Sequence, residues 1–443
     1  MKTIAFHNLG CKVNAYELDV MQQIAQNKGY EIVQFDQKAD VYVVNTCSVT
    51  NIADRKSRQI LHKAKKINPS AIVVAAGCYA QIAKDTLLED EAVDVIVGNN
   101  HKSRIIEIIE DYETSKKAGK DDKIVVIEDV QSSEYENMLL TEGFNRTRAD
   151  VKIQDGCDRY CTYCIIPYTR GKVRSRELSD LICEVKGLAN MGFKEVVLTG
   201  IHISSYGKEH GKKEYNSEAL LTLIEKVASV EGISRVRIGS FEPTILTEEF
   251  VERLSRVSEI CPHFHISLQS GCDSVLKRMN RHYTTDVFYE KVCLLRKYFP
   301  GCAITTDVIV GFPGETEEEF EATVEYLKKV KFFETHIFPY SRRKGTVADR
   351  MEGQLSAAEK EQRVKRLLAL DEEISKEFRE SKRNCPQTIL IEEKKTINSK
   401  EYFVGHTKEY VMIAVEPDEN MEVNKEVVVT PYDYIRDDCL LAK

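Results

Sequence analysis

No stretch of this 443-residue sequence stays apolar for the length of a bilayer crossing, so neither a membrane-spanning helix nor a membrane partner is expected. The opening residues, MKTIAFHNLGCKVNAYELD, read as a strand followed by polar positions, not as the apolar block of a secretory signal. A cytoplasmic location is the expectation. Glycine and proline are sparse, at 22 and 10 residues, which excludes a collagen-like chain and argues against wholesale disorder. Excess positive charge is missing as well. The 63 Lys and Arg face 71 Asp and Glu, a formal −8, so any surface for nucleic acid must be a local basic face. The thirteen cysteines are odd in number and come without an export signal, which argues for a reducing compartment and against a disulfide framework.

What is present is an alternation of short apolar runs with amphipathic stretches, over a length that predicts two or three domains. Within residues 1–111 the runs TIAFHNLG, VYVVNT, AIVVAAG and VDVIVGN are separated by helical patterns, which predicts a doubly wound parallel α/β domain. Residues 112–142 lose this rhythm, carry the run SKKAGKDDK and read as a linker. Between residues 143 and 383 the alternation resumes, with strands expected near Val151–Gln154, Glu195–Thr199, Arg235–Gly239, Phe264–Leu268, Ala303–Val310 and Glu334–Phe338. Six sequential strand–helix units predict a partial, TIM-like (β/α)6 barrel with its site at the carboxyl ends of the strands. Thr316 with Glu319, and Ser356 with Glu359, have the spacing of capping boxes. Residues 384–443 carry short strand patterns between polar turns and predict a small antiparallel β-barrel.

Seven cysteines, Cys261 and Cys439 among them, are scattered and read as small buried hydrophobes. The other six form two sets. In GCDRYCTYC, Cys157, Cys161 and Cys164 have three and then two residues between them and follow the first barrel strand. Three thiolates on one loop can hold three corners of a cubane iron–sulfur cluster and leave the fourth iron open to a cofactor or substrate. A structural zinc site is the alternative, although it is ordinarily closed by four ligands. Cys11, Cys47 and Cys78 lie far apart in sequence, yet each follows an apolar strand. Parallel strands bring their carboxyl ends to one edge, so these three are expected to converge on a second cluster with one open iron.

The CxxxCxYC loop at the start of a (β/α)6 pattern resembles the radical S-adenosylmethionine superfamily. That resemblance implies S-adenosylmethionine on the open iron, in a pocket lined by Tyr163, Thr199, Gly200, Gln269, Asp307 and Phe338. With the second cysteine set and the terminal β segment, the whole chain resembles the methylthiotransferase family. The strings GCKVN, PYTRGKVRSR and FPYSRRKGT are most similar to its branch acting on threonylcarbamoyl-adenosine in tRNA. The resemblance implies two 4Fe-4S clusters, a tRNA anticodon loop as partner and an external electron donor such as a flavodoxin-like protein. It also implies a TRAM-like RNA-binding barrel at residues 384–443 and 2-methylthio-N6-threonylcarbamoyladenosine as product. Isopentenyl-adenosine in tRNA, a ribosomal-protein aspartate, and a non-catalytic iron–sulfur or zinc RNA-binding protein are the alternatives.

The terminal segment holds seven Lys and Arg against twelve Asp and Glu, which is unusual for a phosphate-binding barrel. A basic rim is expected instead around the barrel mouth, from Arg159, Arg170, Lys172, Arg174, Arg176, Arg278, Arg281, Arg342, Arg343 and Lys344. Of these, Arg342 and Arg343 are the candidates for gripping the threonylcarbamoyl carboxylate, because a guanidinium fork matches a carboxylate bidentately.

Overall fold

The computed structural model describes every residue except 121, 142–146, 209–213 and 419–420. The amino-terminal unit is a parallel sheet of β1 (Thr3–Asn8), β2 (Glu31–Val33), β3 (Val41–Thr46), β4 (Ile72–Gly77), β5 (Val95–Val97) and β6 (Ile124–Val126), in the order β2-β1-β3-β4-β5-β6. The continuous apolar runs VYVVNT and IVVAAG are buried throughout because helices cover both faces. Tyr16 and Met21 of the helix Lys12–Asn27 share a core with Ile4, Phe6, Val41 and Val43. Leu61 and Ala64 of the helix Asn51–Ile67 pack with Tyr42 and Val44 on the opposite face. The winding reverses between β1 and β3, and in such sheets the crevice at that point is where ligands bind.

This unit passes residue 111, the boundary expected from sequence. A helix spans Ile105–Lys117, and the short strand Ile124–Val126 pairs with β5 in register. The polar run read as linker is in part the basic last turn of that helix. Beyond it, Met138 and Leu140 are buried between the first two units, where Tyr16 Oη donates to the Met138 carbonyl.

The second unit holds six parallel strands in sequence order: β7 (Arg148–Asp155), β9 (Glu195–Gly200), β10 (Arg235–Ile238), β11 (His263–His265), β12 (Ala303–Val310) and β13 (Glu334–Pro339). Phe241 and Ile266 bridge the β10 and β11 halves, giving an open, curved (β/α)6 array. The two-residue β8 (Arg174–Ser175) folds back antiparallel on β7 and had no sequence signature. Both capping boxes form, opening the helices Glu317–Val330 and Ala357–Glu380.

The third unit is a six-stranded, mainly antiparallel sheet of β14 (Gln387–Ile397), β15 (Lys400–Thr407), β16 (Met412–Val415), β17 (Glu426–Val429), β18 (Pro431–Arg436) and β19 (Cys439–Ala442). Its order is β17-β14-β15-β16-β19-β18, so the two edge strands are joined by Thr430 alone. It covers the amino-terminal end of the barrel. Arg235 Nη1 donates to the His406 carbonyl at 2.8 Å, and Nε to Glu426 Oε1 at 2.7 Å.

Candidate functional site

Cys11, Cys47 and Cys78 sit at the carboxyl ends of the adjacent strands β1, β3 and β4, where Asn8 pairs with Asn45 and Thr46 with Gly77. Local sequence makes the convergence possible. Gly10 has φ +113°, and a Cβ there would stand 3.0 Å from Cys47 Sγ. Gly77 has φ +96°, and a Cβ would meet Asn45 Oδ1 at 2.6 Å. Asn14 binds the strand ends, its Nδ2 donating to the Leu9 and Thr46 carbonyls at 2.8 and 3.1 Å. Asn99 Nδ2 lies 3.6 Å from Cys78 Sγ and donates to the Thr169 carbonyl at 2.7 Å.

Behind this set lies a buried ionic cluster that the sequence did not announce. Arg170 Nη1 reaches Glu17 Oε1 at 2.9 Å and Asp155 Oδ2 at 3.1 Å, and Lys152 Nζ reaches Glu17 Oε1 at 2.7 Å. Lys102 closes the cluster on the other Glu17 oxygen at 2.5 Å. Burial alone would push the Glu17 carboxyl up, but Arg170, Lys102 and Lys152 hold it well below the usual carboxylate range. With Arg174 3.9 Å from Asp155, four cations against two carboxylates leave a positive field beside Cys11 and Cys78. That field suits thiolates carrying an anionic cluster.

The second set lies on the loop after β7. Gly156 has φ +73°, and a Cβ would fall 1.8 Å from the Lys172 carbonyl oxygen. Thr162 N donates to the Met279 carbonyl at 3.1 Å, and Cys157 N to the Gly171 carbonyl at 3.0 Å. Arg281 directs Nη1 at Cys161 Sγ, 3.3 Å away, while Nη2 donates to Glu242 Oε2 at 2.9 Å. Burial would raise Glu242, but Arg281 and His202 bring it down to about 2. Burial pushes the Cys164 thiol up to about 12 and Cys47 up to about 11, so binding a metal centre at either must displace a proton.

A structural zinc site is ordinarily closed by four ligands, whereas three thiolates match a cubane cluster that leaves one iron open. The segments that carry the two sets meet at one interface. The helix Cys78–Ile82 packs on the helix Ile166–Thr169, which begins two residues after Cys164.

The expected cofactor-lining residues fall on the same end of the barrel. Tyr163 is on the cysteine loop with its ring edge toward Phe312. Thr199 and Gly200 end β9. Gln269 takes a left-handed φ of +70°, and its N–H donates to the Asp307 carbonyl at 2.8 Å. Asp307 lies opposite His336, and Phe338, opposite Ile309, is exposed near the end of β13. Asp307, His265 and His336 form the one three-residue group among the described residues whose ligating atoms lie within 4.8 Å of one another.

The expected basic rim needs correction. Arg170, Arg174 and Arg176 are buried and paired, Arg176 with Glu184, and the partly buried Arg281 is paired with Glu242, because the amino-terminal unit and the barrel's own acids cover them. Arg343 is also spent. Its Nη1 donates to Asn51 Oδ1 at 2.7 Å and Asp54 Oδ2 at 2.8 Å, and Nη2 to Ser48 Oγ at 2.7 Å. Arg342 is exposed but bonded to Asp349 at 2.6 Å. The Arg343 guanidinium is therefore not a free fork, whereas Arg342 is held only through Nε and keeps both Nη groups without a partner among the described residues. The exposed cations collect instead on the helix Asn51–Ile67, where Arg55, Lys56, Lys63 and Lys66 face solvent.

Two family models match the chain: "Uncharacterized protein family UPF0004" over residues 3–98 and "Radical SAM superfamily" over residues 151–327. The threonylcarbamoyladenosine tRNA methylthiotransferase MtaB of Bacillus subtilis is 42% identical, with 95% of this chain and 92% of that protein aligned. The protein of the same name from Aquifex aeolicus is 41% identical over 90% of this chain and 95% of its own length. A tRNA-2-methylthio-N(6)-dimethylallyladenosine synthase of Thermodesulfovibrio yellowstonii is 36% identical over 89% of this chain and 88% of its own. The fold is similar to that of TsrM from Kitasatospora setae, a radical S-adenosylmethionine methyltransferase, with TM-score 0.53, 16% identity, and 76% and 73% of the two chains covered. By its cysteine sets, its units and its identity along nearly the whole length, this chain belongs to the radical S-adenosylmethionine methylthiotransferase family.

Proposed function

We propose that this chain is a tRNA methylthiotransferase that modifies carbon 2 of N6-threonylcarbamoyladenosine next to the anticodon, giving 2-methylthio-N6-threonylcarbamoyladenosine. The observation that carries the reading is the pairing of two three-cysteine sets across one interface, tied by Asn99 to the Thr169 carbonyl and by Arg343 to Ser48. Each set offers three thiolates to a 4Fe-4S cluster and leaves one position for an outside ligand. S-Adenosylmethionine bound at the Cys157, Cys161 and Cys164 site supplies an organic radical on one-electron reduction and, separately, a methyl group for the sulfur to be delivered.

Around these groups the protein's part is electrostatic and positional. Arg281 holds a cation against Cys161, and the Arg170 cluster holds positive charge beside Cys11 and Cys78. Tyr163, Thr199, Gly200, Gln269, Asp307 and Phe338 line the cofactor, and an external flavodoxin-like protein supplies the electron. The modified base is a loop nucleotide, which turns out of its stack at modest cost. Identities of 42% and 41% to two MtaB proteins support the threonylcarbamoyl substrate, while a third MtaB protein, from Thermotoga maritima, is 35% identical, level with the 36% of the dimethylallyladenosine synthase.

For RNA we read the terminal sheet as a TRAM-like barrel, its edge strands β17 and β18 following one another through Thr430. Its acidity leaves most phosphate contact to the basic helix Asn51–Ile67, which starts four residues after Cys47. Mass spectrometry of tRNA nucleosides from cells with and without the gene tests the function. The methylthio derivative of threonylcarbamoyladenosine should disappear with the gene, and its persistence in the deletion would contradict the reading.

A further inference from the structure

With Arg343 buried in other bonds and Arg342 exposed on the surface beside Asp349, a more enclosed receptor suits the threonylcarbamoyl carboxylate better. A cavity of about 350 Å³ lies between the amino-terminal unit, the barrel and the terminal sheet, with the cations Lys12, Arg148 and Arg237, the acids Asp150, Glu392 and Glu393, and Tyr410 around it. Lys12 directly follows Cys11. Its side chain is exposed to the cavity, and its ammonium has no hydrogen-bond or ion-pair partner among the described residues.

Arg237 is 2% exposed. Its Nε donates to Glu195 Oε1 at 2.7 Å and its Nη1 to the Lys408 carbonyl at 3.0 Å, while Nη2 is buried without a partner. The guanidinium groups of Arg148 and Arg237 stand over the Tyr410 ring at 4.9 and 4.7 Å. Two cations with unused donors, beside a carboxylate acceptor on Asp150, make a lining for a ligand that carries an anion together with hydroxyl or N–H groups.

We propose that this cavity receives the threonylcarbamoyl substituent, its carboxylate on Lys12 and Arg237 and its hydroxyl and N–H groups toward Asp150, an assignment that rests on the substrate reading above. The substituent carries a carboxylate, a hydroxyl and amide N–H groups, which together match these donors and acceptors. An isopentenyl group matches none of them and would leave the buried Arg237 Nη2 unpaired. Position supports the same assignment. The Cα atoms of consecutive residues are about 3.8 Å apart, so the anchoring Lys12 and the sulfur-bearing Cys11 leave the backbone at adjacent points. Carbon 2 and the carbon bearing N6 flank the same ring nitrogen, which keeps the reacting carbon on the anchored side of the base.

The test uses the full-length, iron-reconstituted protein and three anticodon stem-loop RNAs. One carries threonylcarbamoyladenosine, one its carboxamide and one plain adenosine. The wild type should bind the acid about tenfold more tightly than the carboxamide. Lys12→Gln should lose that preference, bind the other two RNAs as before and keep its iron, and Lys12→Arg should restore most of the preference. The assignment is overturned if Lys12→Gln keeps the preference or weakens all three RNAs equally. It is also overturned if the wild type shows no preference yet methylthiolates threonylcarbamoyl tRNA. A wild type that leaves threonylcarbamoyl tRNA unmodified would instead overturn the substrate reading itself.

Discussion

At Gly10 a single methyl group separates a working cysteine site from a blocked one, because its φ of +113° and the Cys47 sulfur 3.0 Å from a built Cβ leave no room. Gly10→Ala is therefore expected to displace Cys11 relative to Cys47 and to lower the iron content by about half, as one of two clusters fails to assemble. Deoxyadenosine formation should persist, since the Cys157 loop is untouched, and iron analysis beside that assay checks both. Arg343 makes a second prediction. Removing its guanidinium strands the partly buried Asp54, so Arg343→Ala should cost about 3 kcal/mol in docking of the amino-terminal unit, read by thermal melting. The six cysteines were legible because strand ends and loop spacing are local in sequence. Arg170 and Arg343 were not, because their partners Glu17 and Asp54 lie 153 and 289 residues away, and a lone arginine in a sequence looks the same whether solvated or paired.

At the scale of elements, the helix Asn51–Ile67 presents Arg55, Lys56, Lys63 and Lys66 to solvent, whereas the terminal sheet is acidic. Changing Lys63 and Lys66 to Glu should weaken binding of all stem-loops, modified or not, and reduce the slope of log affinity against log salt by about two. An unchanged slope would return phosphate binding to the sheet. The helix Ala357–Glu380 carries a pH signal. Burial raises the Asp371 carboxyl from its ordinary 3.8 to about 6, while its Oδ1 accepts from Thr335 N at 2.6 Å. A carboxyl raised on folding prefers its protonated form in the native state, so stability falls as pH rises from about 4 to 6 and stays lower above. Asp371→Asn should melt higher than the wild type at pH 7.5 and match it near pH 4. Strand positions and capping boxes were readable from period and spacing. Strand β8 and the run of the Ile105–Lys117 helix past residue 111 were not, one being too short to show a period and the other ending in charged residues that resemble a linker.

The whole molecule is an arrangement for bringing two three-cysteine sets to one interface. The amino-terminal unit offers the crevice where its sheet winding reverses, the barrel offers the loop after its first strand, and the terminal sheet closes the far end. That the order of units was legible follows from six strand–helix repeats lying between two differently patterned ends. Their facing was not, since it depends on buried pairs such as Arg170 with Glu17 that join distant segments. The central claim is that the two sets do different work at that interface. It is tested most directly by replacing Cys11, Cys47 and Cys78 together with Ala and assaying the reconstituted protein with S-adenosylmethionine, a reductant and threonylcarbamoyl tRNA. The account predicts about half the wild-type iron, continued formation of deoxyadenosine and no methylthiolated nucleoside. Full methylthiolation by that variant would contradict it.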